Sequence, residues 1–237
     1  YDGASLIDVN GAAAKLEMVA GTVNANIGQG DDGMYGIYVR NGAELVLGTK
    51  GQTEQASPAV TSKFAAIGMN ATTAPGRITV NGGTYESTVA CTGEGHEIYN
   101  AVLYLPATAT VTINGGKFRA TGNGNNRHVI SVPHVGFGDP VKKIELNLVI
   151  NNGTFEVVNP VADNGDAIFY TRGLIGADST NFVSVRGGKY KPSPNHGVTG
   201  CYKVSEADSD GFVTVSESTD TSGETGHKLV WKKKVEP

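Results

Sequence analysis

The sequence predicts an all-β protein built as a parallel solenoid, chiefly because one short unit is written several times along it. Four clear copies occupy residues 78–85 (ITVNGGTY), 111–118 (VTINGGKF), 148–155 (LVINNGTF) and 183–190 (VSVRGGKY), and weaker copies occupy residues 16–22 and 43–49. The last glycine of each copy falls at positions 21, 48, 83, 116, 153 and 188, at intervals of 27 to 37 residues. Self-similarity at such a period is the signature of a repeat architecture.

A second observation is that each copy follows another short apolar segment, at residues 6–9, 36–39, 64–67, 101–105, 129–132 and 167–170. Nothing shows a sustained helical period, and parallel strands that lack helical crossovers can stack as the coils of a solenoid. Residues 202–204 and 211–215 form a degenerate seventh repeat without the double glycine. We therefore expect one domain over residues 1–237, with about seven coils over residues 4–217 and a C-terminal cap or tail over about 202–237.

The repeated units alternate between apolar and polar residues, as a strand with one buried face does. In residues 111–118, Val111 and Ile113 share the face expected to be buried, and Thr112 lies on the opposite face. Equivalent residues of successive coils should then stack in columns. The stacking predicts a structural asparagine ladder of Asn81, Asn114 and Asn151, and a structural column of the aromatic rings of Tyr85, Phe118, Phe155 and Tyr190.

Composition agrees with this fold and excludes several classes of function. The 33 glycines and the 7% of aromatic residues suit short strands joined by tight turns. The formal net charge is −4 and the only basic run is residues 232–234, so nucleic acid is not expected as a partner. No apolar run approaches the about 18 residues that a membrane span needs. Cys91 and Cys201 follow units three coils apart, too far for a disulfide, so both are expected to be free thiols.

The repeated unit resembles, in its V-T-I-N/S-G-G-x-F/Y pattern, the right-handed parallel β-helix (pectin-lyase-like) superfamily. The similar form is the glycine-marked repeat of bacterial surface adhesins and of phage tailspike and decoration proteins. The resemblance covers residues 4–217. It implies a right-handed parallel β-helix that is extracellular, at a cell surface or in a virion. Polysaccharide-cleaving members of the superfamily carry clustered charged residues on one strand face. The corresponding outward positions here do not form such a cluster: Glu17, Glu44, Thr79, Thr112, Val149 and Ser184.

The longer segments after the repeated units are the expected ligand-binding region. They span residues 23–34, 50–63, 86–99, 119–127, 156–165 and 191–199, and we expect all of them to leave one corner of the coil. Aromatic rings with Asp, Asn, Arg and His side chains are typical of a sugar-binding groove, although surface loops are polar in any protein. The candidate ligand-binding residues are Asp31, Asp32, Tyr35, Glu94, His96, Tyr99, Asn125, Arg127, His128, Asp163, Asp166 and His196.

Two functional interpretations remain open. The first is a non-enzymatic extracellular structural or adhesion module that presents these loops to a glycan or to another protein subunit. The alternative is a polysaccharide-degrading β-helix enzyme, a lyase or glycoside hydrolase, with its carboxylates on the loops. No catalytic constellation is predicted from the residues.

No cofactor or metal is predicted either. Residues 28–33 match G-x-G-x-x-G, but no helix follows them and their two carboxylates would repel a pyrophosphate. The five histidines have no metal-ligand spacing. The acidic segments 163–166 and 208–211 lack a full calcium-ligand series and are interpreted as ordinary turns.

The two ends of the predicted solenoid differ. Residues 216–226 are rich in Ser, Thr, Asp and Glu and are expected to keep the C-terminal end solvated. At the other end the sequence begins with Tyr1 rather than Met, which favours a mature or excised segment, and an apolar strand begins at Leu6. Because exposed strand edges recruit other chains, we expect the first coil to be covered by more of the same chain or by another subunit. A laterally associated homotrimer is the expected form.

Overall fold

A computed structural model describes residues 4–26, 34–51, 57–70, 73–88, 101–122, 127–132, 145–159, 167–171, 180–191 and 202–217. In these residues the regular structure consists of β-strands, and the strands of successive coils pair in parallel. The predicted all-β parallel solenoid is therefore confirmed.

Each coil consists of three strands. The coils are β1 (Ser5–Asn10), β2 (Lys15–Met18) and β3 (Thr22–Ala25); β4 (Tyr35–Arg40), β5 (Glu44–Leu47) and β6 (Ala59–Ser62); β7 (Ile67–Met69), β8 (Gly76–Val80) and β9 (Thr84–Ser87); β10 (Ala101–Tyr104), β11 (Ala109–Ile113) and β12 (Lys117–Ala120); β13 (His128–Val132), β14 (Glu145–Ile150) and β15 (Thr154–Val157); β16 (Ala167–Thr171), β17 (Thr180–Val185) and β18 (Lys189–Lys191). Two further strands follow, β19 (Tyr202–Val204) and β20 (Val213–Glu217). Stacking the coils produces sheet I (β1, β4, β7, β10, β13, β16), sheet II (β2, β5, β8, β11, β14, β17) and sheet III (β3, β6, β9, β12, β15, β18).

Six coils are present in the described residues, so the predicted count of about seven is too high. The degenerate repeat forms β19 and β20, which pair antiparallel with each other, and β20 also pairs antiparallel with β18. The chain reverses in a turn at residues 208–211. There the Asp208 carboxylate accepts hydrogen bonds from the backbone N–H groups of Asp210 at 3.0 Å and Phe212 at 2.9 Å. Asp208 of this acidic segment stabilises a turn, as predicted, and the antiparallel pairing of β19 and β20 takes the place of a seventh parallel coil.

Sheet III is the element that the sequence pattern did not reveal. The expected loop segment at residues 86–99 begins inside β9, and the equivalent segments of the other coils also overlap sheet III. In β9, Tyr85 and Ser87 are fully buried and Glu86 between them is half-buried. The alternation of a strand is present, but a small polar residue takes one of the buried positions and hides the apolar period.

The core fills the space between the three sheets. Val111 and Ile113 of β11 are fully buried, whereas Thr112 between them is half-buried. Their register partners Ile78 and Val80 in β8 are buried as well. The predicted alternation of the repeated units is therefore confirmed.

The double-glycine turn joins sheet II to sheet III. It contains three residues in five of the six coils, and the third has a positive φ between 102° and 137° at Gly21, Gly83, Gly116, Gly153 and Gly188. At Gly83, an added Cβ would also lie 2.4 Å from the carbonyl oxygen of Pro58 in the preceding coil. The turn therefore needs glycine both for its left-handed conformation and for the close approach of successive coils.

The asparagine ladder forms beside this turn, as predicted. Asn114 Nδ2 donates to Asn81 Oδ1 at 2.9 Å, and Asn151 Nδ2 donates to Asn114 Oδ1 at 2.8 Å. Asn81 Nδ2 in turn lies 3.4 Å from the carbonyl oxygen of Gly48. Each side-chain amide therefore donates a hydrogen bond to the preceding coil.

A second ladder lies at the corner between sheets I and II in the first three coils. Asn41 Nδ2 donates to Asn10 Oδ1 at 2.8 Å, and Asn70 Nδ2 donates to Asn41 Oδ1 at 3.2 Å. Two of its members belong to the Asn-Gly pairs at residues 10–11 and 41–42, which form turns. Their side chains also connect the coils.

The predicted column of rings is present on the inner face of sheet III. We call it the inner aromatic column, and it consists of Tyr85, Phe118, Phe155 and Tyr190. Successive ring centroids lie 5.0, 4.9 and 4.9 Å apart and the rings are stacked. The two terminal hydroxyls donate back to the turn, Tyr85 to the Gly82 carbonyl at 2.5 Å and Tyr190 to the Gly187 carbonyl at 2.7 Å. The buried hydroxyl groups at the two ends of the column therefore both have hydrogen-bond partners.

Candidate functional site

The connections between strands differ in length from one corner of the coil to another. The corner between sheets II and III has three residues, except for residues 48–58 in the second coil. The corner from sheet III to sheet I has nine, four, thirteen, seven and nine residues in successive coils, and the corner between sheets I and II has three to twelve. Sheet I is therefore bordered by both of the variable corners.

The predicted loop segments agree with this arrangement in part. Residues 26–34, 88–100, 121–127 and 158–166 all connect sheet III to sheet I, so these connections leave one corner as expected. The segment 50–63 is an exception, because its long part precedes β6 and lies at the corner between sheets II and III. For that segment the expectation of a shared corner is wrong.

Three of the twelve candidate ligand-binding residues lie in the described part of the chain: Tyr35, Arg127 and His128. The other nine lie outside the described residues: Asp31, Asp32, Glu94, His96, Tyr99, Asn125, Asp163, Asp166 and His196. Cys91 and Cys201 lie outside them too. Ligand binding by this set of residues stays a prediction.

The guanidinium group of Arg127 bonds the backbone of its own coil and of the next. The residue is 4% exposed, and its Nη1 donates to the carbonyl oxygens of Gly122 at 2.7 Å and Val158 at 2.8 Å. Its Nη2 donates to the carbonyl oxygen of Asn159 at 3.0 Å. A buried cation is stable only with such partners, so these bonds hold the corner between sheets III and I.

His128 is fully buried at the start of β13. Its backbone pairs in register with Ala101 of β10 and Ala167 of β16. Because its side chain is fully buried, a ligand bound at the surface does not contact it directly.

Tyr35 belongs to a second group of packed rings, separate from the main core. We call this group the outer aromatic cluster, and it consists of Tyr35, Tyr38, Phe64 and Tyr104. Tyr38 alternates along β4 with the core residues Ile37 and Val39, so it points away from the core on the outer face of sheet I. All four side chains are nevertheless buried.

A missing side chain allows this cluster to form. Tyr38, Gly68 and Tyr104 are register partners on adjacent strands of sheet I. The ring of Tyr35 lies over Gly68, where an added Cβ would be 2.6 Å from its Cδ1. That ring stacks on Tyr38 with centroids 4.6 Å apart and lies 6.3 Å from Tyr104. Tyr35 thus takes the place that a side chain at Gly68 would occupy, and three tyrosine rings form one stack.

A charged pair lies beside the cluster. Arg40 Nε donates to Asp8 Oδ1 at 2.9 Å, and its Nη2 bonds the other carboxylate oxygen of Asp8. The guanidinium carbon of Arg40 lies 5.7 Å from the centroid of the Tyr38 ring, in cation–π range. Of these residues, sequence reasoning selected only Tyr35 as a candidate. The available signal was Gly68, a lone glycine between the apolar residues Ile67 and Met69, which favours a close approach to a strand.

Three carboxylates on the outer faces of the other two sheets lie in ion pairs with arginines of neighbouring coils. On sheet II, Glu44 lies 3.5 Å from Arg77. On sheet III, Arg119 lies 3.3 Å from both Glu86 and Glu156, its register partners in the coils before and after. Opposite charges in adjacent coils favour this register over one that stacks like charges.

A depression lies where β11 and β14 of sheet II begin. The residues that line it are Pro75, Thr108, Ala109, Thr110, Glu145, Leu146 and Asn147. Within the described ranges, no three His, Cys, Asp or Glu side chains are grouped closely enough to hold a metal ion. The described residues also include no helix of the length and apolarity needed to cross a membrane.

Comparison of this chain with protein-family models, with curated proteins and with solved structures yields no match.

Proposed function

We propose that the protein is a non-enzymatic extracellular structural or adhesion module, of a bacterial surface or a phage virion. It presents the surface around sheet I to a glycan or to another protein. The observation that carries this proposal is the distribution of connection lengths. The corner between sheets II and III is nearly constant, whereas both corners that border sheet I vary from coil to coil. Binding residues concentrate in variable connections on a rigid scaffold.

The outer aromatic cluster also favours the surface around sheet I as the binding surface. Its four buried rings form a second, small core on the outer side of sheet I, which fixes the strands beneath the variable connections. At its border lies Arg40, whose Nε and Nη2 donate to Asp8 and whose guanidinium group lies beside the Tyr38 ring. The Arg40 side chain is 26% exposed, and a guanidinium group suits the carboxylates of an acidic polysaccharide.

The alternative, a polysaccharide-degrading enzyme, needs a pair of carboxylates about 5–9.5 Å apart across a sugar. The carboxylates of Glu44, Glu86 and Glu156 are already engaged in ion pairs with arginines of neighbouring coils. For an enzymatic site we expect acidic residues of the connections, such as Asp32 or Asp166, which lie outside the described residues.

One experiment separates the two functions. The protein is incubated with a panel of neutral and acidic polysaccharides, and both retention and the release of reducing or unsaturated ends are measured. We expect retention of at least one acidic polymer without new ends. Arg40→Gln should weaken retention about tenfold or more, and Arg119→Gln, an equally conservative change on sheet III, should leave it unchanged.

Two outcomes would contradict the proposal. Turnover that is abolished by Asp32→Asn or Asp166→Asn would show that the protein is an enzyme. Equal loss of retention in the Arg40 and Arg119 variants would show that the sheet I surface has no special role in binding.

A further inference from the structure

The first coil differs from the others in its exposed apolar surface. Among the described residues, the large apolar side chains that are exposed are Leu6, at 48%, and Val19, at 50%, and both lie in this coil. Its inward residues Leu16 and Met18 are only partly buried, whereas their register partners Leu45 and Leu47 in the second coil are 0% exposed. Among the described residues, the first coil is therefore the one that exposes large apolar side chains.

The strands of this coil are also the terminal strands of all three sheets. β1, β2 and β3 each pair with the second coil on one side, and on the other side they meet no further strand in the described part of the chain. A terminal strand offers a row of backbone N–H and C=O groups to another chain. An occupant of this end must supply both strand edges and apolar side chains.

The sequence of the first coil reads nearly the same in both directions about Leu16. Moving outward from Leu16, the paired positions are Lys15 with Glu17, Ala14 with Met18, Ala13 with Val19, Ala12 with Ala20, Gly11 with Gly21, Asn10 with Thr22, Val9 with Val23, Asp8 with Asn24 and Ile7 with Ala25. Apolar residues are paired with apolar residues, glycine with glycine and a cation with an anion. The two paired glycines also share one backbone conformation, with φ of 103° and 102°.

We propose that the first coil is the interface of a head-to-head dimer, in which two copies of this chain meet about a two-fold axis through Leu16. A two-fold axis perpendicular to the solenoid reverses the direction of each strand. It therefore places β2 antiparallel to β2 of the copy, and β1 antiparallel to β3 of the copy. The near-palindrome then sets like positions against each other across the interface.

The inward and outward faces of the two copies match in this arrangement. Ala14, Leu16 and Met18 all pack against the core, and pairing about Leu16 joins each of them to an inward residue of the copy. Val9 is likewise an inward residue of β1 and faces Val23, an inward residue of β3. The two cores become continuous across the two-fold axis, and the exposed Val19 is covered by Ala13 of the copy.

The charges on β2 point to a second copy rather than to an unrelated partner. Lys15 lies 3.4 Å from Glu44 of the next coil, but the register partner of Glu17 there is Val46. Within the chain, Glu17 is 57% exposed and lies 3.9 Å from Lys15 at the limit of an ion pair. In the dimer each Glu17 faces Lys15 of the copy, so two such pairs form across the axis. A different partner would have to carry this same charge pattern in reverse.

Sedimentation equilibrium over nanomolar to micromolar concentrations tests the proposal with a charge exchange. The unmodified chain should form a dimer. Lys15→Glu and Glu17→Lys should each raise the dimer dissociation constant about tenfold or more, because each places two like-charged pairs across the axis. The double variant Lys15→Glu/Glu17→Lys restores opposite charges and should recover most of the affinity. Lys189→Glu, an exposed lysine in the last coil, should have no effect.

Disulfide trapping tests the register. In a Cys91→Ser/Cys201→Ser background, Leu16→Cys should form a disulfide-linked dimer on mild oxidation, since residue 16 faces its own copy. Met18→Cys should not, because the two copies of residue 18 would lie about 13 Å apart along antiparallel strands, beyond the reach of a disulfide.

Three outcomes would overturn the proposal. The first is a lateral trimer whose mass is unchanged by the charge exchange, and the second is a dimer in which neither cysteine crosslinks. The third is a monomer at all concentrations. If the β2 amides of that monomer are nonetheless protected from hydrogen exchange, another segment of the same chain covers the first coil.

Discussion

The two groups of stacked rings are built in opposite ways. The inner aromatic column takes one ring from the same position of four successive coils, so its members lie in register, 4.9 to 5.0 Å apart. The outer aromatic cluster takes Tyr35 and Tyr38 from one strand, Phe64 from a connection and Tyr104 from another strand. The column follows the repeat, whereas the cluster depends on an interruption of it at Gly68.

The inner aromatic column belongs to the repeated scaffold, whereas the outer aromatic cluster is a feature added to it. Repetition gives every coil the same contact, and the solenoid gains regular support along its length. The cluster occurs once in the described coils and lies beside the corners where connection lengths vary. We expect a protein of this kind to differ from others with the same fold at a feature that occurs once along the repeats.

The largest expected effect comes from breaking the inner column at its centre. Phe118 is 0% exposed and stacks on both Tyr85 and Phe155. Phe118→Ala should lower the free energy of unfolding by about 3–5 kcal/mol, through lost burial and a cavity that the flanking coils cannot close. Thr112→Ala, on the outer side of the same coil, should cost under about 0.5 kcal/mol. Equilibrium denaturant unfolding measures both, and similar losses for the two variants would contradict the column's role.

The outer cluster is broken most specifically by filling the space at Gly68. Gly68→Ala places a Cβ 2.6 Å from the Tyr35 ring, and we expect overpacking to cost about 1–3 kcal/mol. In a Tyr35→Ala background the same substitution should cost almost nothing, because the ring it displaces is absent. A double-mutant cycle by denaturant unfolding measures this coupling. Additive costs would mean that Tyr35 does not occupy that position.

The same contrast explains how much of the molecule was predictable. The sequence alone predicted the parallel solenoid, the ladder at Asn114 and the column at Phe118, because each recurs at equivalent positions and repetition exposes it. It did not reveal sheet III, where buried serines such as Ser87 interrupt the apolar alternation. Nor did it reveal the outer aromatic cluster, since contacts between residues at unrelated positions, such as Tyr35 and Gly68, leave no period to find. All three described candidate residues are buried, Tyr35 in the outer aromatic cluster and Arg127 and His128 in the scaffold. Residue type in the sequence does not distinguish a side chain that contacts a ligand from one that packs inside the protein.

A smaller effect is expected from the asparagine ladder. Asn114 donates one side-chain hydrogen bond at 2.9 Å and accepts another at 2.8 Å. Asn114→Ala removes both and should cost about 1–2 kcal/mol. Asn147→Ala, an exposed residue of β14, is the control and should be nearly neutral. If the two variants unfold at the same denaturant concentration, the ladder does not contribute to stability.

The smallest effect distinguishes the tyrosine at the start of the inner column from the phenylalanines at its centre. Burial raises the pKa of Tyr85 well above its ordinary value, because the phenolate would lose its solvation. Above about pH 10 the phenol of the unfolded chain loses its proton while the folded protein keeps it, so this group's contribution to stability is full below that pH and falls above it.

Tyr85→Phe removes the hydrogen bond to Gly82 and should cost about 1 kcal/mol at pH 9. It also removes the pH dependence, so the difference from the unmodified protein should change by about 1.4 kcal/mol in favour of the variant between pH 9 and pH 11. Denaturant unfolding at the two pH values measures this change, and a difference that stays constant would show that the buried hydroxyl titrates as it does in water.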